Sequence, residues 1–428
     1  MDGAFLADRA VVIDGDRISK VVAADAVPPG AEIEEWPRLA LIPGTVNAHG
    51  HAFQNLFKGF ADDRTFEDWR DAVLYPLSAG LTTEDIYTGS LFAFTEAILA
   101  GVTTTVDFFY LHDEGNENAE AVIRAARDAG IRLVLARAFY DLDAPTGAPA
   151  RFRETTSDSV ERTRALALAH AADPLVSIQP APHSLHAAAP ETIAAALEVA
   201  HELGTPCHLH LAEARYERDL ISERFGSTPV KLLAERGLLD NRLVAIHAVW
   251  VDNDEIDLLA SADVGVVHCP GANAFLGDGI ARAREMIEKG VRVALGPDGG
   301  CANNHQSVFD EMRMASLLAK ATATDGSVLT APQAFALGTV AGGGLLGLPV
   351  GTIAAGGYAD FVALDLDDLS LHPPGNLAHH VVHSMQSTAV ARVLVGGVRV
   401  VERGRPTRVD PGELRARIAD TTGAWTRP

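Results

Sequence analysis

Short apolar runs alternate with longer segments of helical periodicity through most of the chain. Eight runs have the length and the Val, Ile and Leu content of buried strands. They occupy residues 41–47, 103–108, 131–137, 175–179, 206–211, 243–247, 264–268 and 291–295. The segments between them predict helices; in one of these, Pro190 stands where a helix can begin and Gly204 where it can end.

Strands that alternate with helices of this length predict right-handed βαβ units and a parallel sheet. Eight such units favour an α/β fold in which the strands close into a (β/α)8 TIM-type barrel, over residues 42–352. The C-terminal end differs, because runs 361–364, 390–395 and 398–401 are β-like and punctuated by glycine. We therefore predict that residues 1–41 and 353–428 form a small composite β domain, a β-sandwich built from both chain ends.

Composition narrows the class of ligand. The chain has 428 residues and a mass of 45.2 kDa, and 57 acidic residues against 35 lysines and arginines give a formal net charge of -22. This charge argues against nucleic acid or an anionic membrane as partner and favours a small-molecule substrate. Three cysteines without paired spacing predict a cytoplasmic location, and the acidic start has no apolar stretch typical of a signal peptide or membrane span. The oligomeric state stays open, and a homo-oligomer is compatible with the sequence.

Candidate metal ligands stand at the ends of four of the apolar runs. They are His49 and His51 after the first run, His210 and Glu213 at the end of the fifth, His247 at the end of the sixth, and Asp298 after the eighth. In a barrel these strand ends meet at one rim, so residues far apart in sequence converge. Each alone is explained as readily by a surface histidine, a core histidine or a rim carboxylate. Their shared position predicts a metal-activated hydrolase with zinc or iron.

Eight segments carry motifs in a fixed order along the chain. They are PGTVNAHGH (43–51), LFKGFADD to W (56–69), GVTTTVDF (101–108), APHS (181–184), HLHLAE (208–213), IHAVWV (246–251), VVHCPGANAFLGDG (266–279) and GPDGGCANN (296–304). In this order they resemble the amidohydrolase superfamily, in the branch that holds aromatic deaminases and triazine hydrolases. The resemblance covers nearly the whole chain.

The resemblance implies roles for individual residues. The implied ligands of one divalent ion, zinc in preference to iron, are His49, His51, His210 and Asp298. The implied catalytic residues are Glu213, His247 and Asp298, and the implied substrate-binding residues are His183, Trp69 and Ser78. His268, which ends the seventh run, either touches substrate or fills the barrel mouth. Members with two ions also carry a bridging lysine on the fourth strand; residues 175–179 contain none, which predicts a single ion.

The implied reaction is hydrolytic deamination of an amino-substituted N-heterocycle of purine, pterin, pyrimidine or triazine type. The ion would lower the pKa of its water from about 15.7 toward 7, and metal-bound hydroxide would attack a ring carbon. Asp298 would take the proton of that water while His247 orients it. Glu213 would protonate a ring nitrogen and then help the amine to leave as ammonia.

Three further functions are compatible with the sequence. The first is hydrolysis of an acyclic C=N bond, because HAFQ (51–54) and NAFLGDG (273–279) are similar to formimidoyl-glutamate deiminases. Such a dicarboxylate needs a positive clamp, for which Arg70 and Arg137 are candidates, although structural pairing of each is the simpler interpretation. The second function is that of a triazine-type hydrolase with a different leaving group, and the third is that of a non-catalytic barrel scaffold.

The sequence also bears on which ring is deaminated. Ser78 stands where nucleoside-deaminating relatives have glutamate, which argues against adenosine-like substrates.

Overall fold

The computed structural model describes residues 5–60, 62–143 and 147–425. Residues 1–4 and 426–428, which the sequence assigns to the small β domain, lie outside the described residues. The strands, in chain order, are β1 (Arg9–Asp14), β2 (Arg17–Ala23), β3 (Leu39–Pro43), β4 (Thr45–Asn47), β5 (Val102–Phe109), β6 (Arg132–Phe139), β7 (Val176–Pro182), β8 (Cys207–Leu211), β9 (Leu243–His247), β10 (Gly265–His268), β11 (Arg292–Leu295), β12 (Phe361–Asp365), β13 (Val390–Val395), β14 (Val398–Glu402) and β15 (Arg405–Pro406).

The α/β class and the barrel are confirmed. Strands β4–β7 and β8–β11 form two parallel four-stranded sheets. The sheets join at one seam where the backbone N–H of His210 donates to the carbonyl of His183 at 3.0 Å. At the other seam the N–H of Ala48 donates to the carbonyl of Leu295 at 3.0 Å. All residues of β5, β6, β8, β9 and β10 are buried, as expected of parallel strands covered on both faces.

The predicted run 41–47 is wrong as a single strand, because it contributes to two sheets. β3 pairs antiparallel with β12, whereas β4 pairs parallel with β5 in the barrel. The strand is interrupted at Gly44, where a Cβ atom would lie 2.0 Å from Oγ1 of Thr103. Only glycine fits so close an approach. The break places the following residues, up to His51, at the barrel mouth.

A second, smaller β unit combines both chain ends. β3 and β12–β15 form an antiparallel sheet in the order β15-β14-β13-β12-β3, and β1 and β2 form a hairpin. Ile18 of the hairpin is buried in a cluster with Phe361 and Leu394 of the sheet. Apolar contact between the hairpin and the sheet therefore holds the N-terminal strands in place. The division at residues 41 and 353 stays a prediction.

Helices follow the strands of the barrel and of the smaller β unit. They are α1 (Phe66–Trp69), α2 (Tyr75–Gly80), α3 (Thr83–Leu99), α4 (Glu117–Ala129), α5 (Thr156–Ala169), α6 (Pro190–Leu203), α7 (Arg215–Phe225), α8 (Pro229–Glu235), α9 (Asn253–Ser261), α10 (Pro270–Phe275), α11 (Ala283–Glu288), α12 (Gly300–Asn303), α13 (Val308–Ala323), α14 (Ala331–Leu337), α15 (Val340–Leu346), α16 (Leu377–His383) and α17 (Pro411–Thr422). As predicted, Pro190 begins α6, and Gly204 ends it in a left-handed conformation with φ of 70°. Within the described ranges, no helix is both long and apolar enough to cross a membrane.

Candidate metal centre and active site

The barrel brings the predicted metal ligands together at the carboxyl ends of its strands. His49 and His51 follow β4, His210 lies in β8 and Asp298 follows β11. One nitrogen from each of His49, His51 and His210 lies within 4.8 Å of the others, and His49, His247 and Asp298 form a second group of this kind. The ring of His49 lies 4.8 Å from that of His51 and 4.9 Å from that of His210, measured between ring centroids. Residues that are far apart in the sequence thus share one small space.

Backbone carbonyls orient two of these imidazoles. Nδ1 of His51 is 2.7 Å from the carbonyl of Phe108, and Nδ1 of His210 is 2.9 Å from the carbonyl of His183. Each Nδ1 therefore carries the proton and donates, which leaves the lone pair of Nε2 free to bind a cation. Both ring nitrogens of His49 are buried without a hydrogen-bond partner in the described structure. An imidazole left in that state is explained by a ligand that accepts its lone pair.

Asp298 supplies the anionic member of the cluster. Its Oδ1 lies 3.2 Å from Nε2 of His49 and 3.5 Å from Nε2 of His51, and it accepts a hydrogen bond of 2.7 Å from the N–H of Gly299. Burial would raise the pKa of Asp298, but its close contacts with His49 and the neighbouring His51 and His247 lower it well below its usual value. Three imidazoles and one ionised carboxylate are a donor set that fits zinc and also iron.

His247 and Glu213 stand beside these ligands. Nδ1 of His247 donates to Oδ1 of Asn273 at 2.9 Å, and Nε2 lies 3.4 Å from Oε1 of Glu213 and 4.0 Å from Oδ2 of Asp298. The side chain of Glu213 is 14% exposed, whereas that of His247 is 1% exposed. Glu213 is thus the member of this pair that reaches the open side of the cluster.

Burial sets the protonation of the site. It lowers the pKa of His49 to about 3, and it also lowers the pKa values of His51, His210 and His247. These imidazoles are therefore neutral at pH 7, which is the form that binds metals. The pKa of Glu213 is raised well above its ordinary value, first by burial and then by the nearby negative charges of Asp278 and Asp298.

The strand ends that carry the site have an unusual backbone. Ala212, next to Glu213, has φ of 51°, and His247 and Asp298 have φ of 70° and 68°. Non-glycine residues in this left-handed region are strained, and such residues occur often at functional sites. The turn at each of these positions directs the chain across the barrel mouth.

The predicted substrate contacts differ in how close they lie to the cluster. The ring of His183 stacks on that of His210 at 4.9 Å, and His268 is 3% exposed with Nδ1 lacking a partner in the described structure. Trp69 donates from Nε1 to the carbonyl of Cys301 at 3.0 Å, in the turn after Asp298. Ser78 is fully buried, its Oγ has no hydrogen-bond partner in the described structure, and its backbone carbonyl accepts from residues 81 and 151. Substrate contact by Ser78 stays a prediction.

The two arginines considered as a clamp are both paired within the protein. Arg137 is fully buried and donates to both carboxylate oxygens of Glu154, at 2.8 and 2.9 Å. This pairing agrees with a structural role, the simpler interpretation of Arg137, because both terminal nitrogens of its guanidinium group are engaged. Arg70 donates to Asp71 at 2.7 and 3.0 Å and lies 5.6 Å from the ring of Tyr216.

Residues that the sequence did not single out hold the catalytic candidates in place. Asn273 of α10 anchors His247, and Oε2 of Glu217 accepts the backbone N–H of Glu213 at 3.0 Å. Glu217 lies in the first turn of α7, a position where acidic residues often cap a helix, so its spacing from Glu213 was a usable signal. The contact of Asn273 with His247 crosses from one strand end to the next and leaves no local signal.

Comparison with known proteins agrees with the geometry of the site. A family model described as the amidohydrolase family matches residues 40–400 of the chain. The chain belongs to the amidohydrolase family. The likeness in sequence motifs is thereby confirmed, and the mouth of this amidohydrolase barrel is the place where the described ligands meet.

Relatives and solved structures resemble this amidohydrolase over nearly its whole length. A 5-methylthioadenosine/S-adenosylhomocysteine deaminase of Moorella thermoacetica is 32% identical over 98% of this chain and 95% of its own. The protein of that name from Natronomonas pharaonis is 35% identical over 88% of this chain and 84% of its own. The crystal structure of an adenosine deaminase from Xanthomonas campestris with bound zinc has a TM-score of 0.89 at 28% identity and covers 98% of this chain and 94% of its own. Atrazine chlorohydrolase from Arthrobacter aurescens, complexed with zinc, has a TM-score of 0.90 at 24% identity, covers 97% of this chain and 95% of its own, and shows the fold alone.

Proposed function

We propose that this amidohydrolase removes an amino group, as ammonia, from an amino-substituted N-heterocycle by metal-dependent hydrolysis. The observation that carries the proposal is the convergence of neutral imidazoles and one ionised carboxylate on a shared space, with Glu213 at its open side. Relatives named as deaminases of adenine-containing compounds support the reaction class. The protein is accordingly a hydrolase that acts on carbon–nitrogen bonds in cyclic amidines.

The residues fit a single divalent ion, which we propose to be zinc. His49, His51, His210 and Asp298 would hold it, because their free lone pairs face one another. β7, the fourth strand of the barrel, contains no lysine that could bridge a second ion. The zinc named with the adenosine deaminase structure from Xanthomonas campestris supports this choice over iron.

When bound, zinc supplies Lewis acidity that lowers the pKa of a coordinated water to about 7. The protein then moves the protons. Asp298 accepts the proton of the attacking water through a carboxylate oxygen, and His247, fixed by Asn273, orients that water from Nε2. Glu213 donates its proton to the ring nitrogen beside the attacked carbon. The proton that Asp298 took from the water then passes to the amine, which leaves as ammonia, and the hydroxyl proton on the attacked carbon restores the protonated form of Glu213. Each such transfer contributes about 10²–10⁴ in rate.

The ring class follows from the charges around the mouth. Glu213, Asp278 and Asp298 are close enough to influence one another's pKa values, and Arg137 is engaged with Glu154. Carboxyl groups at the mouth provide no positive clamp for the dicarboxylate of a formimidoyl-glutamate substrate, whereas their oxygens can accept hydrogen bonds from an amine-bearing ring. Purine, pterin, pyrimidine and triazine amines are all of this kind. A cytoplasmic location is part of the proposal, since all three cysteines are free and buried.

An ammonia-release assay on zinc-loaded protein tests the proposal. The panel contains adenine, adenosine, 5′-methylthioadenosine, guanine, cytosine, an aminopterin-type ring, melamine and N-formimidoyl-glutamate. We expect about one zinc per chain and ammonia from at least one ring. Glu213→Gln and Asp298→Asn should each lower kcat about 10²-fold or more, whereas Glu198→Gln, an exposed acid on α6, should leave it unchanged.

The outcomes of that assay are distinct from one another. Turnover of N-formimidoyl-glutamate alone would replace the proposed function with that of an acyclic deiminase. Release of another leaving group from a triazine, without ammonia, would indicate a triazine hydrolase. A protein that holds no zinc and turns over nothing in the panel would contradict an enzymatic role.

A further inference from the structure

Asp278 is a carboxylate at the barrel mouth that the mechanism does not use. The residue is 5% exposed, and its Oδ2 is buried without a hydrogen-bond partner in the described structure. A buried carboxylate oxygen without a donor is costly for a folded protein, so such a group calls for an explanation. A ligand that brings an N–H donor to this oxygen provides one.

The turn that carries Asp278 is held firmly. The backbone N–H of Asp278 donates to the carbonyl of Asn273 at 2.9 Å, and its own carbonyl accepts from Nε1 of Trp250 at 2.8 Å. Gly277 and Gly279 on either side have φ of 75° and 122°, values that favour glycine. Since the side chain of Asn273 also anchors His247, one short segment fixes both Asp278 and a catalytic candidate.

Asp278 lies near enough to Glu213 for their charges to interact. After burial, Asp278 is the largest influence that raises the pKa of Glu213, ahead of Asp298. The pKa of Asp278 is itself raised to about 8, by burial and then by Asp298 and Glu67. Asp278 is not a member of either group of converging metal-ligand atoms found among the described residues. Recognition of a donor on the substrate is therefore a better explanation than a second ion.

We propose that Asp278 accepts a hydrogen bond from a second amino group of the heterocycle, and so selects rings with two or more amino groups over rings with one. The inference rests on the proposed function, because it takes Glu213 as the residue that meets the ring nitrogen beside the leaving amine. A carboxyl group keeps an acceptor oxygen whether or not it is protonated, so this recognition works in either state. Diamino-substituted purines, pterins and triazines belong to the selected class.

The test measures dissociation constants for matched pairs of rings on zinc-loaded protein. The pairs are 2,6-diaminopurine with adenine, and melamine with 2-amino-1,3,5-triazine. Glu213→Gln serves as the common background, so that slow turnover does not disturb the titration. With Asp278 intact, the ring with the additional donors should bind about 10-fold more tightly, as expected for one additional hydrogen bond.

Variants assign that preference to Asp278. Asp278→Ala should reduce the preference to nearly none, whereas Glu67→Gln, which removes an exposed carboxylate that influences Asp278, should preserve it. Asp278→Asn has the same shape and cannot ionise, so its Tm should be unchanged at neutral pH and unchanged or higher above pH 8, where Asp278 would carry an unpaired charge. A lower Tm together with an equal loss of affinity for both members of each pair would overturn the proposal in favour of a structural role for the turn.

Failure of this inference can be told apart from failure of the proposed function. If Asp278→Ala keeps the preference, or the intact protein has none, Asp278 does not select the ring, whatever ammonia the wild-type enzyme releases. If the preference is present and depends on Asp278 but no ring releases ammonia from the zinc-loaded wild-type protein, the deaminase proposal falls while the recognition site stands.

Discussion

Asn273→Ala tests whether His247 acts through a fixed orientation of its ring. The imidazole is 1% exposed, and its Nδ1–H donates to Oδ1 of Asn273 at 2.9 Å. This hydrogen bond keeps the proton on Nδ1, so that Nε2, 3.4 Å from Glu213, is free to accept. Alanine removes the acceptor and leaves a buried N–H without a partner. The ring can then rotate or change its tautomer, and Nε2 no longer faces the water.

The size of the effect follows from that lost contact. A buried donor left unsatisfied costs about 1–3 kcal/mol. Because Asn273 acts on the ring and is not assigned to the substrate, the cost should fall on kcat, with little change in KM. Loss of a residue that orients a catalytic or ligating histidine typically lowers activity about 10- to 100-fold, and each tenfold step corresponds to about 1.36 kcal/mol. We expect kcat to decrease by that factor while zinc content stays constant.

Steady-state ammonia release on the best ring of the panel provides the measurement. Asn273→Asp keeps an acceptor for Nδ1–H and should retain more activity than Asn273→Ala. Asn116→Ala serves as the matched control, since it removes a side-chain acceptor 2.9 Å from Nε of Arg137, in a network separate from the ligand cluster. The control should lower stability without changing kcat. If Asn273→Ala keeps the wild-type kcat at full zinc occupancy, fixed orientation of His247 is not needed for catalysis.

Three further predictions concern the metal, the ion pair and the cysteines. Removal of zinc by a chelator should abolish ammonia release and lower Tm, and one equivalent of zinc should restore both. The reason is that an ion that binds only the folded state stabilises it by about 4.1 kcal/mol at a thousand times its Kd. An unchanged Tm would contradict the proposed site. Arg137→Met should destabilise the fold by about 3–5 kcal/mol in urea unfolding without a selective change in KM. Burial would raise the pKa of Glu154, but hydrogen bonds and charges from Arg137 lower it to about 2. The stability that this ion pair contributes is therefore full above pH 4.5 and is lost as the pH falls toward 2. In Glu154→Gln the free energy of unfolding should depend less on pH over this range. Cys207, Cys269 and Cys301 are buried and burial raises their thiol pKa values, so iodoacetamide should modify the native protein far more slowly than the unfolded chain.

The sequence predicted the barrel because seven of the eight apolar runs coincide with single strands, and parallel strands must end at one rim. It predicted the convergence of His49, His210 and Asp298 for the same reason. The interruption at Gly44 could not be found, because strand-forming residues such as Ile42 and Val46 stand on both sides of it. One set pairs with β12 at the far end of the chain and the other with β5. Periodicity reports burial but not the sheet in which a strand is buried.

Long-range pairing between polar side chains was the other feature that the sequence could not supply. Arg137 lies at the end of a barrel strand, where a substrate contact is common, but Glu154 approaches it from a separate segment and neutralises it. Asn273 and Asp278 lie in the segment after β10, and their positions at the site depend on how that segment turns toward the other strand ends. Motif and spacing identify the residues that carry chemistry, whereas their orienting partners depend on how neighbouring loops meet.

The charge balance of the mouth ties the metal to the substrate. Glu213, Asp278 and Asp298 would repel one another if all were ionised, and the imidazoles beside them are neutral because burial lowers their pKa values. A divalent cation held by the proposed ligands, Asp298 and the histidines, would offset this repulsion. Protonation of Glu213 and the proposed ring donor at Asp278 would offset the remainder. Binding of the ion and binding of a donor-rich ring should therefore reinforce each other, so that affinity for the ring falls when zinc is removed even though the ring need not touch all of the metal ligands.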